Sequence, residues 1–164
     1  MNFTYTIASL PKLEQIWQKN IDNNPGDPNW IRWRNEYIHY NTNGMAATFL
    51  VLADGEPVGE GTLLFSPDCK AVAGRPVALA DGKRIANVNA LRIEKAHEGQ
   101  GHISRMMREM ENYARSLGYT HLSIGVEARE ARNLAIYLHW GYRSFLMSEV
   151  DEGELILYYA KELK

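Results

Sequence analysis

Short apolar stretches bounded by turn residues recur along this chain, and they predict the strands of a sheet. The stretches at residues 45–53 and 57–65 are joined by Asp54-Gly55-Glu56, a turn that predicts a β-hairpin. The last two stretches flank the acidic turn Asp151-Glu152-Gly153 and predict a second hairpin. The predicted strands are residues 3–7, 45–53, 57–65, 84–93, 119–126, 142–150 and 155–160.

Apolar residues at three- and four-residue spacing predict helices between these strands. Ser9, with Pro11 two residues later, predicts the start of a helix that runs to about Asn20, because Ser is a favoured N-cap and Pro is tolerated in the first turn. Residues 30–40 and 130–140 predict two further helices. The most regular spacing ends before Gly118, a C-terminal stop signal, and comprises Ile103, Met106, Met107, Met110, Tyr113, Ala114 and Leu117.

Residues 99–104, Gly-Gln-Gly-His-Ile-Ser, connect the strand over 84–93 to this regular helix. Gly99 and Gly101 allow a tight turn, and the first N–H groups of the helix lack helical partners and carry the positive end of its dipole. The placement predicts a cradle for a phosphate or pyrophosphate. An ordinary strand-to-helix turn that binds nothing is the alternative.

Composition narrows the class of protein. The length of 164 residues fits one domain over 1–164, and 45% hydrophobic with 23% charged residues is typical of a soluble globular protein. The net charge of −2 argues against a nucleic-acid partner, and the longest apolar run is too short to span a membrane. A single cysteine, Cys69, excludes an intrachain disulfide and suits a reducing compartment. We therefore expect a cytoplasmic protein.

Two nucleotide-binding motifs are possible interpretations of residues 99–104, the glycine loop. Gly99-x-Gly101-x-x-Ser104 approximates a dinucleotide fingerprint, and Glu127 stands near where a ribose-binding acid would lie. A dinucleotide-binding domain needs several further strand–helix units, however, and only one helix and a hairpin follow Glu127. A P-loop is excluded because no Gly-Lys-Ser/Thr sequence follows the glycines. The surroundings instead allow a mostly antiparallel sheet with one parallel pair, which the helical crossover after the glycines creates.

Three segments carry a resemblance to a known family. They are Val88-Asn-Ala-Leu-Arg-Ile93, Glu98-Gly-Gln-Gly-His-Ile-Ser104, and Asn133-Leu-Ala-Ile-Tyr137 leading to Gly141-Tyr142. In this order they resemble the GNAT superfamily of N-acetyltransferases, over about residues 45–160. The resemblance implies an α/β (α+β) fold of GNAT type: a mixed, mostly antiparallel central sheet with a splayed parallel pair, flanked by about four helices. It also implies acetyl-CoA as the cofactor and CoA as a product.

By this resemblance, backbone amides of the glycine loop hold the pyrophosphate of acetyl-CoA, and N–H groups of the central strand polarise the thioester carbonyl. Glu98 stands where the family usually has Arg or Gln. A solvated carboxylate there would repel a pyrophosphate by about 1 kcal/mol, so Glu98 is expected to point outward. Ile103 replaces a second small residue but can still donate its backbone N–H. The implied cofactor-binding residues are Leu91, Arg92, Ile93, Glu98, Gly99, Gln100, Gly101, His102, Ile103, Ser104, Asn133 and Tyr137.

Tyr137 is the implied catalytic acid. A phenol with the ordinary pKa of about 10 is protonated at neutral pH and can give its proton to the departing CoA thiolate. Asn133 lies one helical turn earlier, so both side chains share a face. The general base stays open, and no metal is needed for this chemistry. Asn87 or Asn89 could orient a water relay, and the titratable candidates are Glu60, Glu94, Glu127 and His121.

The predicted activity is transfer of an acetyl group from acetyl-CoA to a primary amine of a small molecule or a protein, by direct attack in a ternary complex. A non-catalytic acyl-CoA-binding sensor or interaction module is the alternative, and a regulator that binds ATP or NAD is a third. Related domains often dimerise, which favours a homodimer. The side chains that could select a cationic or aromatic amine are Trp30, Trp33, Tyr37, Glu149, Asp151, Glu152 and Glu154.

Overall fold

The computed structural model describes all 164 residues. Its seven strands are β1 (Phe3–Ile7), β2 (Ala46–Ala53), β3 (Glu56–Leu64), β4 (Ile85–Ile93), β5 (His121–Glu127), β6 (Ser144–Asp151) and β7 (Glu154–Glu162). Its four α-helices are α1 (Leu10–Asp22), α2 (Asn29–Thr42), α3 (His102–Ser116) and α4 (Ala131–His139), and one 3-10 turn spans Lys95–His97. Every strand and helix predicted from the sequence is present, with small shifts at the ends.

The strands form one sheet in the order β1-β2-β3-β4-β5-β7-β6. β4 and β5 run parallel, in a register from Ile85 opposite His121 to Val88 opposite Ile124. The pairs β1–β2, β5–β7 and β6–β7 are antiparallel. The predicted fold class, a mostly antiparallel sheet with one parallel pair and four helices, is therefore confirmed. Parallel strands need a crossover connection, and α3 supplies it.

The residues group into two compact units. The first unit comprises Met1–Leu63 and Ala90–Asn112, and the second comprises Leu64–Asn89 and Tyr113–Lys164. The core of the first unit includes Leu13, Ile16, Trp17, Tyr37, Tyr40, Phe49, Leu50, Val51, Met106 and Met110. The core of the second unit includes Leu79, Ala86, Val88, Leu122, Ile124, Val126, Tyr142 and Tyr158.

Local sequence signals explain where the helices begin and end. Ser9 caps α1 as predicted, since its hydroxyl accepts a hydrogen bond from the Lys12 N–H at 3.4 Å. In α3 the predicted apolar face is buried at its three methionines and at Ala114. Leu117 differs from the prediction and is 51% exposed, because the helix already ends at Ser116. None of the four helices combines the length and the apolar character that a membrane span requires.

Candidate active site

The glycine loop lies in the first unit and leads directly into α3. Gly99 and Gly101 have φ angles of 73° and 84°, in the left-handed region that side chains rarely adopt. The first hydrogen bond of the helix runs from the Arg105 N–H to the Gly101 carbonyl at 3.1 Å. The backbone N–H groups of residues 102–104 therefore have no acceptor in the helical ladder.

The loop fits an anionic guest by its shape and by its polarity. A methyl group added to Gly99 or Gly101 would meet no other atom within 4 Å, so the protein leaves the approach to both glycines open. The N–H groups of residues 102–104 carry the positive end of the α3 dipole. Glu98, just before the loop, and Gln100, within it, are both exposed. These backbone groups suit a phosphate, which accepts hydrogen bonds at a helix N-terminus.

His102 anchors the glycine loop rather than facing solvent. Its side chain is 7% exposed, and its ring lies 4.1 Å from the Phe3 ring, centroid to centroid. The Tyr5 hydroxyl lies 2.8 Å from Nδ1, and the Gln100 amide oxygen lies 3.0 Å from Nε2. Burial lowers the pKa of His102, and the electrostatic effects of His97 and Arg105 lower it further. Its imidazole is thus a fixed, neutral link between the loop and β1.

The central strand has an irregularity at Ala90 that the sequence pattern does not reveal. Ala90 has a φ angle of 56°, which is uncommon for a residue with a side chain. The parallel register of β4 with β5 runs up to Val88, two residues earlier. The positive φ of Ala90 is a departure from extended backbone between the part of β4 that pairs with β5 and residues 91–93. Strained backbone of this kind clusters at functional sites.

Two glycines of β3 make room for side chains of β4. A methyl group on Gly61 would lie 2.7 Å from Leu91 Cδ2, and one on Gly59 would lie 2.7 Å from Ile93 Cδ1. Both distances are too short for a real side chain. The packing of β3 therefore holds Leu91 and Ile93 in place on either side of Arg92.

Arg92 and Glu60 form an ion pair enclosed by aromatic rings in the first unit. Arg92 Nη2 lies 3.1 Å from Glu60 Oε1, and Arg92 Nε lies 3.3 Å from Glu60 Oε2. The guanidinium carbon lies 5.3 Å from the centre of the Trp17 ring and 5.1 Å from that of Trp30, both within cation–π range. Asn20 Nδ2 donates a third hydrogen bond to the Glu60 carboxylate at 2.8 Å. Glu60 is thus held by Arg92 and Asn20.

The second unit holds Tyr137 and Asn133, both on α4. Burial raises the pKa of Tyr137, and the negative charge of Glu130 raises it further, so the phenol is protonated at neutral pH. The ring of Tyr137 lies 5.7 Å from that of Trp140, centroid to centroid. Asn133 is exposed, and its amide donates to Glu130 Oε2 at 2.6 Å.

Asn87 and Asn89 belong to a hydrogen-bonded chain in the second unit. Asn89 Nδ2 donates to Asn87 Oδ1 at 3.2 Å, and Asn87 Nδ2 donates to Ser123 Oγ at 2.9 Å. The Ser123 hydroxyl then donates to the Leu79 carbonyl at 2.7 Å. Because this series of hydrogen bonds ends on a backbone carbonyl, the buried amide of Asn87 and the buried hydroxyl of Ser123 are both paired. No titratable group takes part in it.

The other candidate bases also have partners. Glu94 pairs with Lys19 at 3.2 Å, and Glu127 pairs with Arg129 at 3.0 Å. His121 Nδ1 lies 2.8 Å from the hydroxyl of the preceding Thr120. Of the predicted acceptor-selecting carboxylates, Glu149 pairs with Arg75 at 2.9 Å and Glu154 pairs with Arg129 at 3.2 Å.

Glu149 lies in a compact cluster of the second unit. Its Oε1 accepts hydrogen bonds from Arg75 Nη2 at 2.9 Å and from the Tyr158 hydroxyl at 2.6 Å. These contacts lower the pKa of Glu149, whereas burial and the bond to Glu149 raise the pKa of Tyr158 to about 12. The negative charge of Glu149 is therefore balanced within the protein.

Comparison with known proteins now gives the family. Most of the chain, residues 10–142, matches the sequence profile of the acetyltransferase (GNAT) family. The chain belongs to the GNAT family of acetyltransferases. The predicted family is thereby confirmed, and acetyl-CoA is the acyl donor of this family. No curated protein matches the sequence of this GNAT protein.

Solved structures share the fold of this GNAT protein at low sequence identity. An N-acetyltransferase from Staphylococcus aureus Mu50 superposes with a TM-score of 0.73 at 16% identity, covering 100% of both chains. The yncA protein of Salmonella typhimurium, solved with its cofactor acetyl-CoA, has a TM-score of 0.72 at 12% identity and covers 100% of this chain and 95% of its own. The PaiA N-acetyltransferase of Thermoplasma acidophilum, in complex with coenzyme A, has a TM-score of 0.63 at 14% identity, with 99% of both chains covered.

Proposed function

We propose that this GNAT protein transfers the acetyl group of acetyl-CoA to a primary amine while both substrates are bound. The observation that carries the proposal is the open glycine loop, where the N–H groups of residues 102–104 stand outside the helical ladder. A pyrophosphate is the natural guest of such a helix start. In the proposal, residues 98–104 bind the pyrophosphate of acetyl-CoA.

The proposed reaction assigns two tasks to the protein. The amine nitrogen forms a C–N bond to the thioester carbonyl carbon of acetyl-CoA and loses a proton to water, and the C–S bond then breaks to release CoA. Backbone N–H groups near Leu91–Ile93 stabilise the negative charge that develops on the carbonyl oxygen. Tyr137 gives its proton to the departing thiolate and regains one from water. Its raised pKa keeps this proton in place at neutral pH.

Calorimetry with acetyl-CoA tests the proposed cofactor site. Gly101→Asp places a carboxylate at the helix start, and we expect it to weaken binding by at least about tenfold. Gly44→Asp is a matched control, because Gly44 also has a positive φ, of 71°, and open space around it. Equal losses in both variants would indicate backbone strain rather than repulsion of the cofactor. Absence of binding to the unchanged protein would overturn the proposal.

Turnover separates the enzyme from a sensor that binds acyl-CoA without reacting. We expect CoA release from a panel of primary amines, and a loss of kcat by about 100-fold in Tyr137→Phe with unchanged acetyl-CoA affinity. Tyr159→Phe is the control, since Tyr159 is another half-buried phenol of the second unit. A fully active Tyr137→Phe would remove Tyr137 from the reaction. Cofactor binding without turnover of any amine would favour the sensor.

A further inference from the structure

In the ion pair between Arg92 and Glu60, only the arginine is accessible to solvent. The Glu60 side chain is 1% exposed, whereas the Arg92 side chain is 35% exposed. Both carboxylate oxygens of Glu60 already accept hydrogen bonds from Arg92, and one accepts another from Asn20. The Glu60 carboxylate is therefore already hydrogen-bonded within the protein, and it is too buried for a positively charged amine to reach. The group that a substrate can reach is the guanidinium.

Three of the five N–H groups of Arg92 are not used by its bonds to Glu60. Nε and one N–H of Nη2 are used by Glu60, which leaves the second N–H of Nη2 and both N–H groups of Nη1. The rings of Trp17 and Trp30 lie against the guanidinium and limit its movement. The remaining donors form a fixed fork, which matches the two oxygens of a carboxylate.

A second unpaired donor lies in the same cluster. The indole Nε1 of Trp17 is buried and has no hydrogen-bond partner, although Trp17 is only 1% exposed. Buried N–H groups are almost always paired, so an orphan indole N–H requires an explanation. Its ring is one of the two that contact Arg92.

From these features we infer that Arg92 is a substrate-binding residue for the carboxylate of a small amino acid-like acceptor. The inference rests on the proposed function and specifies its acceptor. Arg92 belongs to the segment Leu91–Ile93, whose peptide groups are proposed to polarise the thioester carbonyl. A carboxylate bound to its side chain would hold the attached amine beside the Arg92 guanidinium. The Glu60 carboxylate and the two indoles position Arg92 for this contact.

Matched substrates test the inference on the unchanged protein. L-amino acids and the corresponding L-amino acid amides are compared as acceptors by measuring CoA release. We expect kcat/KM for the preferred acid to exceed that for its amide by about tenfold or more, because the amide loses a charge-assisted hydrogen bond. The same acid without its amino group is expected to compete with the acceptor. Equal rates for acids and amides would overturn the inference.

Variants then assign the preference to Arg92. We expect Arg92→Gln to raise KM for the acid by at least about tenfold more than it raises KM for the amide, and Arg92→Lys to retain part of the preference. The double variant Arg92→Gln/Glu60→Gln avoids a buried unpaired carboxylate and keeps the test valid if the single variant fails to fold. Arg32→Gln, an exposed arginine of α2, is the control.

The two proposals fail in different ways. If acids and amides react equally well and Arg92→Gln changes neither, the amine acetyltransferase stands and the carboxylate contact is wrong. If no amine reacts, catalysis is wrong, and calorimetry of the acid with the protein saturated with acetyl-CoA decides the contact separately. Binding of the acid that Arg92→Gln abolishes supports the contact, and binding that the variant leaves intact overturns it.

Discussion

Tyr5 and His102 are joined by a hydrogen bond of 2.8 Å between the phenol oxygen and Nδ1, although 97 positions separate them in the sequence. Nε2 of the same imidazole lies 3.0 Å from the Gln100 amide oxygen, which can only accept. Nε2 therefore carries the hydrogen, and Nδ1 accepts from the phenol. This chain of bonds ties the glycine loop to β1 through a neutral histidine.

Removing the Tyr5 hydroxyl is expected to loosen the glycine loop. Tyr5→Phe leaves Nδ1 of a buried imidazole without a donor, which should lower the free energy of unfolding by about 1–2 kcal/mol. Acetyl-CoA affinity should fall by a few-fold, because the loop must then be ordered on binding. Urea unfolding and calorimetry measure the two effects, with Thr4→Val, an exposed change on β1, as the control. An unchanged affinity would show that the loop is held without this bond.

Stability is expected to fall in mild acid because of His102. Its pKa in the folded protein is lowered, so below the ordinary pKa of about 6.5 the unfolded chain binds a proton that the folded protein resists. The contribution of neutral His102 to the free energy of unfolding is fully present above pH 6.5, and it is lost as the pH falls towards and through the pKa of His102 in the folded protein. The measurement is urea unfolding across this range for the unchanged protein and for His102→Gln. The variant should show a smaller decline, and parallel curves would contradict the assignment.

Gly61→Ala is expected to disturb the strand that carries the proposed carbonyl-binding N–H groups. The new methyl group would lie 2.7 Å from Leu91 Cδ2 and 2.8 Å from Met106 Cε, so these side chains must shift. We expect a loss of about 1–3 kcal/mol of stability and a fall in kcat that exceeds the change in acetyl-CoA affinity. Thermal unfolding, kinetics and calorimetry measure the three quantities. If the clash is the cause, Gly61→Ala and Met106→Ala should be less than additive when combined, because the smaller side chain of the second variant removes one of the two clashes.

Ala90→Gly is expected to relieve backbone strain. A residue with a side chain in the left-handed region costs about 1–2 kcal/mol relative to glycine, and the greater freedom of glycine in the unfolded chain offsets part of the gain. The net change should lie between zero and about 1 kcal/mol of added stability, with kcat within about twofold. Ala90→Val should destabilise clearly, because a branched side chain fits this conformation poorly. A destabilised glycine variant would mean that the Ala90 methyl contributes packing that outweighs the strain.

The sequence predicts the parts of this fold that depend on neighbouring residues. Ser9 and the residues after it specify the start of α1, and the spacing of the methionines specifies the buried face of α3. The glycine loop is equally local, since Gly99, Gly101 and the following helix are contiguous. The spacing of Leu117 places it on the buried face of α3. The spacing alone does not show that the helix ends one residue earlier, at Ser116.

Features that depend on distant residues lie beyond the sequence pattern. Glu60 was a candidate base because of its chemistry, and nothing local pairs it with Arg92, 32 positions later. His102 was placed in the loop by its position, but its bond to Tyr5 depends on where β1 lies in the sheet. The positive φ of Ala90 is also invisible, because alanine has no preference for that conformation and tertiary packing imposes it. The roles proposed for Tyr137 and for residues 91–93 await the experiments above.

Ala90 divides β4 into two stretches that natural or laboratory variation should treat differently. Residues before it lie in a regular parallel pairing with β5, where most substitutions would reduce the yield of folded protein. Residues after it are held by the packing of β3 and carry the proposed contacts to both substrates. In a screen for soluble expression, most of the harmful substitutions should therefore fall before Ala90. In a screen for altered acceptor choice, most of the effective substitutions should fall after it. Libraries aimed at a new acceptor can leave residues 85–88 untouched and begin at Leu91.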